Sequence, residues 1–196
     1  MYASTTNAAD HVELVETAPV ETSLDDPAIR SAHLVWVEMI ESARTSLDLA
    51  QFYLSPKEQG AGRLRPVLEA IERAAKRGVR VRFLGDAKFA RRYSEPLEEL
   101  DAVEGIEVRK FDMASLTGGV LHAKYFIADR RELYLGSQNF DWRSLEHIQE
   151  LGVHAQSASL GEDISKIFDA DSALTDTSIS GAYIDDIWFR YSKKRS

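Results

Sequence analysis

The chain has 196 residues, 44% of them hydrophobic and 29% charged, with a formal net charge of −8. That length suits one domain with a real core, and the acidic balance argues against a protein that coats nucleic acid through bulk positive charge, although a local basic pocket stays possible. With no cysteine the chain can form neither disulfides nor thiolate metal sites, and no apolar run approaches the ~18 residues needed to span a bilayer.

Residues 1–10 are small and polar and are expected to be disordered. HVELVET (11–17) alternates like a strand, with Val12, Leu14 and Glu16 on one side. Asp25, Asp26 and Pro27 make an acidic cap and a first-turn proline, predicting a helix to about Arg44. It would bury Ile29, Leu34, Val37 and Ile40, with Trp36 as a further candidate. SLDLAQFYL (46–54) reads as a strand. GAG (60–62) is too loose for a phosphate loop and reads as a turn before an amphipathic helix to Gly78, carrying Leu64, Val67, Leu68 and Ile71 on its apolar face.

VRVRFLGD (79–86) is the next strand, and 87 to about 102 is expected as a helix. Its start, DAKFARRY, interleaves Lys88, Arg91 and Arg92 with Phe89 and Tyr93. Such a run is either a solvated helix face with its aromatics in the core or a surface that steers and stacks a polyanion. IEVRKFDM (106–113) is a strand, residues 121–128 and 133–139 form a hairpin, 148–156 is a further strand and 160–170 a helix. Strands alternating with helices, with a late hairpin, predict an α/β fold with a mixed sheet covered on both faces. The tail from Thr175 breaks this rhythm with Ser and Thr, then Tyr183, Ile187, Trp188 and Phe189, then a basic end. It reads as a linker or the start of a second half, at 175–196, after a single domain at 11–174.

The hairpin carries the chemistry. In a register that sets Lys124 opposite Ser137 and His122 opposite Asn139, alternation puts all four side chains on one patch. A lysine charge, an amide donor, a hydroxyl and an imidazole together suit an anionic tetrahedral centre such as phosphate. Glu150, flanked by apolar residues where a carboxylate is costly, is the candidate to orient His122. Asp129 faces away by parity and is expected to be structural. Arg143 is a candidate near the pocket. A zinc site from His122, His147 and His154 lacks ligand spacing, so no metal and no cofactor is expected.

His122-x-Lys124-x4-Asp129-x6-Gly136-Ser137-x-Asn139 resembles the phospholipase D superfamily signature at each fixed position, and Glu150 falls where members carry the acid that holds the histidine. The wider text, from about residue 11 to 170, is similar to the branch with lysosomal exonuclease-type and poxvirus envelope members. The resemblance implies a phospholipase D-type sheet between helices and a metal-independent phosphodiesterase, with a phospholipid or nucleic acid as substrate. It makes His122 the nucleophile that forms a phosphohistidine, Lys124 and Asn139 the holders of the phosphate oxygens, and Ser137 a hydrogen-bonding helper. It also demands a second histidine, and none of His11, His33, His147 or His154 has a lysine two residues later. A second motif would come from homodimerisation or from a missing C-terminal half. Alternatives are an inert phosphate-binding half and a phosphatidyltransferase resembling cardiolipin synthase. The compartment stays unknown: the reading is of a soluble protein, cytoplasmic or exported with its leader outside this numbering.

Overall fold

A computed structural model describes residues 10–56 and 62–176. The expected disorder at 1–10, most of the turn at 60–62 and the reading of the tail fall almost entirely outside the described residues.

In chain order the elements are β1 (His11–Thr17), β2 (Arg30–Ser31), α1 (Ala32–Ser42), β3 (Ser46–Gln51), β4 (Leu54–Ser55), α2 (Leu64–Lys76), β5 (Arg80–Asp86), α3 (Ala87–Ala90) and α4 (Ser94–Asp101). There follow β6 (Ile106–Phe111), α5 (Met113–Thr117), β7 (Lys124–Ala128), β8 (Glu132–Gly136), β9 (Phe140–Asp141), α6 (Trp142–Glu146), β10 (Glu150–Gln156) and α7 (Ala158–Ala173). Eight strands form one mixed sheet in the order β2-β1-β10-β8-β7-β3-β5-β6, and β4 pairs with β9 in a small second sheet.

Alternation along the central strands divides the core. Leu47 and Leu49 of β3, Val81 and Phe83 of β5, and Phe126 of β7 pack with Val35, Trp36 and Ile40 of α1 and Val67 and Ile71 of α2. Trp36 is the hub, edge-on to Phe126 and Tyr134 and stacked on Phe140 at 4.8 Å. On the other face Ala50, Leu84, Tyr125, Ile127 and Leu133 meet Phe168 of α7. Burying each such large side chain contributes about 1.5–3 kcal/mol. Asp48, fully buried, holds Arg82 through two bonds of 2.6 and 2.8 Å, and Arg82 reaches Asp169 of α7 at 2.8 Å. The expected helix–sheet–helix sandwich is present.

α2 follows its apolar spacing of Leu64, Val67, Ile71 and Ala74, and ends at Gly78, whose φ of 88° suits a residue without Cβ. Other expectations needed correction. α1 starts at Ala32, because Asp26 donates its amide to Glu16 (2.7 Å) and Arg30–Ser31 pair with β1 instead. α1 buries Val35, Trp36, Met39 and Ile40 and leaves Leu34 outside. The expected helix from 87 breaks at Arg91–Tyr93 into α3 and α4.

In β1, Val12 and Leu14 share one side as expected, but that side is open: they are 62% and 57% exposed, while Glu13 is bonded to His154. The α7 side of the sheet is uncovered there, so apolar residues face solvent.

The hairpin register is also shifted. Tyr125 pairs with Leu135, one residue short of the expected match. The cause is the turn. Asp129 (φ 52°) and Arg130 (φ 56°) are both left-handed, and Arg131 donates its amide to the Ala128 carbonyl at 3.1 Å, the primed geometry that suits strand twist. Asp129 tolerates this because its carboxylate accepts the amides of Arg44, Thr45 and Ser46 and the Thr45 hydroxyl, at 2.7–3.1 Å. It lies at the end of β7 away from His122 and clamps the turn to the start of β3.

Candidate active site

The site gathers where β3 and β5 end, β7 begins and β8 and β10 meet. β7 starts at Lys124, so His122 sits on the loop that enters it rather than on the strand. Asp86 fixes that loop. Buried at the end of β5, its carboxylate accepts the Leu121 amide (2.7 Å) and caps α3 by accepting the amides of Lys88 and Phe89 (3.0 Å each). A strand-ending Asp before a helix is an N-cap signal, and that signal could have marked it from sequence.

The Lys124 ammonium lies 3.1 Å from His122 Nε2 and 5.2 Å from the centre of the Phe52 ring. Phe52 also meets the His122 ring edge-on at 4.5 Å. Partial loss of solvent, then the neighbouring ammonium, holds the imidazole pKa below its ordinary value. Burial likewise lowers the Lys124 pKa, against the attraction of Glu150. Both causes favour the neutral imidazole, the state in which a ring nitrogen can attack.

Ser137 and Asn139 reach the site from a loop between β8 and β9, not from a flat ladder. Ser137 donates its amide and hydroxyl to the Leu151 carbonyl at 3.0 and 3.3 Å. The Asn139 amide hydrogen is donated to Ser144 Oγ at 2.9 Å. Its side-chain oxygen is buried without a partner among the described residues. Glu150 binds Ser144 through a short hydrogen bond and also engages Ser137, and burial raises its pKa. Glu150 is held by these two serines and, across space, attracts Lys124 rather than bonding His122 directly. Ser144, which the sequence reading passed over, is thus the link between Glu150 and Asn139.

Gly136 pairs with Gly152 across β8 and β10. A Cβ on either would collide with the Tyr134 hydroxyl, which donates to Gln138 at 2.6 Å. Glycine is needed here so that the Tyr134 ring fits beneath the loop that carries Ser137 and Asn139.

Arg143 forms a two-pronged pair with buried Asp141, at 3.0 and 2.5 Å. His147 packs edge-on to Trp142, and His154 lies between two carboxylates. The histidines of the zinc alternative thus have separate partners, and among the described residues no group of three or more His, Cys, Asp or Glu could hold a metal ion. No helix among the described residues is long and apolar enough to cross a membrane.

A mixed sheet between helices, with a His-x-Lys pair at its strand ends and a Gly-Ser-x-Asn loop beside it, defines the phospholipase D class of fold. Residues 36–172 match the family model described as "Cardiolipin synthase, PLD-like domain", and the chain belongs to that family within the phospholipase D superfamily.

Among its relatives are the virion nicking-joining enzyme of vaccinia virus strain Western Reserve, 33% identical over 80% of this chain, and the 5'-3' exonuclease PLD3 of Rattus norvegicus, 37% identical over 71%. The alignments cover 36% and 30% of those proteins, so the chain spans about a third of their length. NucT from Helicobacter pylori superposes with a TM-score of 0.67 at 18% identity, covering 83% of this chain and 95% of that one. The phospholipase D family member Nuc from Salmonella typhimurium gives 0.65 at 21%, covering 83% and 93%. These two structures share the fold.

Proposed function

We propose that this chain supplies one half of a phosphodiesterase site and cleaves phosphodiesters, of nucleic acid or phospholipid, together with a second motif-bearing unit. The observation that carries the reading is the His122 imidazole set 3.1 Å from the Lys124 ammonium. An arriving phosphate oxygen draws the ammonium away from Nε2 and frees that lone pair. The nitrogen then attacks phosphorus, the bond to the leaving oxygen breaks, and a phosphohistidine forms. Lys124 stabilises the charge on the five-coordinate transition state. The Asn139 amide, turned so that its NH2 points outward, donates to a second oxygen.

Glu150 acts through Ser137 and Ser144, which hold the Asn139 loop in place. Asp129 supports from the far end of the strand. Arg143, already paired with Asp141, shapes the rim. The leaving oxygen needs a proton, and water must then be activated to release phosphate from His122. That acid comes from the second unit.

The relatives named above as a nicking-joining enzyme and an exonuclease support the nucleic-acid substrate. The description of the matched family supports transfer to an alcohol in place of water as a second reading.

Val12, Leu14, Leu135 and Leu151 form an exposed apolar area on the strands β1, β8 and β10. β8 leads into Ser137 and β10 begins at Glu150, so the area adjoins the site, and contiguous exposed apolar surface marks an interface. The second unit docks there. The test pairs solution mass with hydrolysis of a generic diester. The expected result is turnover only in a paired species, and loss of both turnover and acid-labile covalent phosphate in His122→Ala. Full activity in that variant sinks the reading.

A further inference from the structure

The site has a side that the reaction does not use. Phe52 and Tyr53 follow β3 directly, and Phe89 and Tyr93 rise from α3 and the break after it. Phe52 lies 4.1 Å from Phe89, centre to centre. Tyr53 stacks on Phe89 at 6.0 Å and on Tyr93 at 5.4 Å, with interplanar angles of 23° and 22°. The inner end of this wall touches His122 through Phe52. Its outer end carries the Arg92 guanidinium, 5.9 Å from the Tyr93 ring centre, with Lys88 and Arg91 exposed beside it.

We propose that this wall is a stacking subsite for the nucleobase next to the phosphodiester held at His122, and that the preferred substrate is single-stranded nucleic acid. The proposal rests on the reading of His122 and Lys124 as the phosphate grip. An aromatic cluster that served only to close the core would be buried, but all four of these residues are only half-buried. The wall is also fixed in advance. The Tyr53 hydroxyl lies beside Asp141 and the Tyr93 hydroxyl beside Arg143, the ion pair that follows Asn139. The base platform and the phosphate loop are therefore held to one another.

Flat aromatic faces with interleaved cations fit a base and its backbone, because each base has a π-face and each nucleotide a charge. An acyl chain would call for an aliphatic groove without the cations. In a chain of net charge −8, this local basic edge offers a strand a place to enter.

The test uses the full chain and two fluorescein-labelled oligomers of equal length, oligothymidylate and an abasic backbone, in binding and cleavage assays. Wild type is expected to bind the thymidylate about ten-fold more tightly. That ratio, read within each protein, falls to about one in Tyr93→Leu and stays near ten in Tyr93→Phe, which keeps the ring. Equal binding of both oligomers by wild type overturns the proposal, as does an unchanged ratio in Tyr93→Leu. Displacement of thymidylate by short-chain phosphatidylcholine micelles, with no base preference, assigns the wall to lipid and also overturns it. A ten-fold preference without cleavage of either oligomer by a paired species leaves this subsite standing and removes the hydrolase reading. Equal binding with cleavage of both does the reverse.

Discussion

Single side chains decide more than one feature of this molecule, and His154 is the clearest case outside the site. Its two ring nitrogens lie 2.7 Å from Glu13 and 2.8 Å from Glu132, joining β1, β10 and β8. Burial lowers the imidazole pKa, but the bonds to Glu132 and Glu13 outweigh it and leave the pKa above its ordinary value. Glu13 and Glu132 are both lowered, against burial, mainly by their bonds to His154. Arg30 also faces Glu13, and Ser42 and Gln156 face Glu132.

A raised histidine stabilises the fold below its unfolded pKa of about 6.5, and that contribution is lost as pH rises through the folded value. The lowered glutamates stabilise above their unfolded pKa of about 4.3, and theirs is lost as pH falls through the folded value. The cluster is therefore strongest between about pH 4.5 and 6.5. Replacing His154 by Gln should lower Tm more at pH 5.5 than at pH 8.5. An equal loss at both would show that His154 is neutral in the folded protein.

At the scale of elements, the β7–β8 turn shows how one carboxylate sets a register. Removing the Asp129 side chain strands the amides of Arg44, Thr45 and Ser46 and asks alanine to hold a left-handed φ. Asp129→Ala should cost about 2 kcal/mol in urea unfolding. Asp129→Asn keeps an acceptor and tolerates the same φ, and should cost clearly less. Equal losses would remove the clamp.

The contrast between what was and was not legible from sequence follows the same line. β3, α2, β5 and β10 were readable because burial imposes a period on their side chains. The register of the hairpin was not, because it depends on Asp129 meeting residues 44–46, a contact with no local sign. β1 was legible as a strand, but which of its sides faces solvent was not, because its apolar residues face a part of the sheet that the described residues leave uncovered. Within the site, His122, Lys124, Ser137 and Asn139 could be named from spacing, and they lie in one neighbourhood. Asp86 carried a local N-cap signal, whereas Ser144 could not be ranked, since its importance lies in which amide and carboxylate it reaches.

Over the whole molecule, the sheet has two unequal ends. β3, β5 and β7 are covered on both faces, while β1, β10 and the end of β8 show Val12, Leu14, Leu151 and Leu135 to solvent. Four large apolar side chains at 49–62% exposure on adjacent strands are costly for a lone domain and useful to a paired one. The double substitution Leu14→Asp and Leu135→Asp should weaken association by at least ten-fold in sedimentation, because it buries two charges at the contact. Far-UV circular dichroism should not change. Unaltered association would move the interface to another face.

The strand order also has a temporal consequence. β1 is the first strand of the described chain, yet its antiparallel partner is β10, the last strand, and α7 follows only after that. During synthesis, His11–Thr17 must wait for residues 150–156 to leave the ribosome before they can pair, and contacts so distant in sequence form slowly. Until then a nascent chain carries β1 with its β10 edge unpaired and Val12 and Leu14 open to its neighbours. The end of the sheet suited to receive a partner is thus the last to be completed, so pairing can only follow folding.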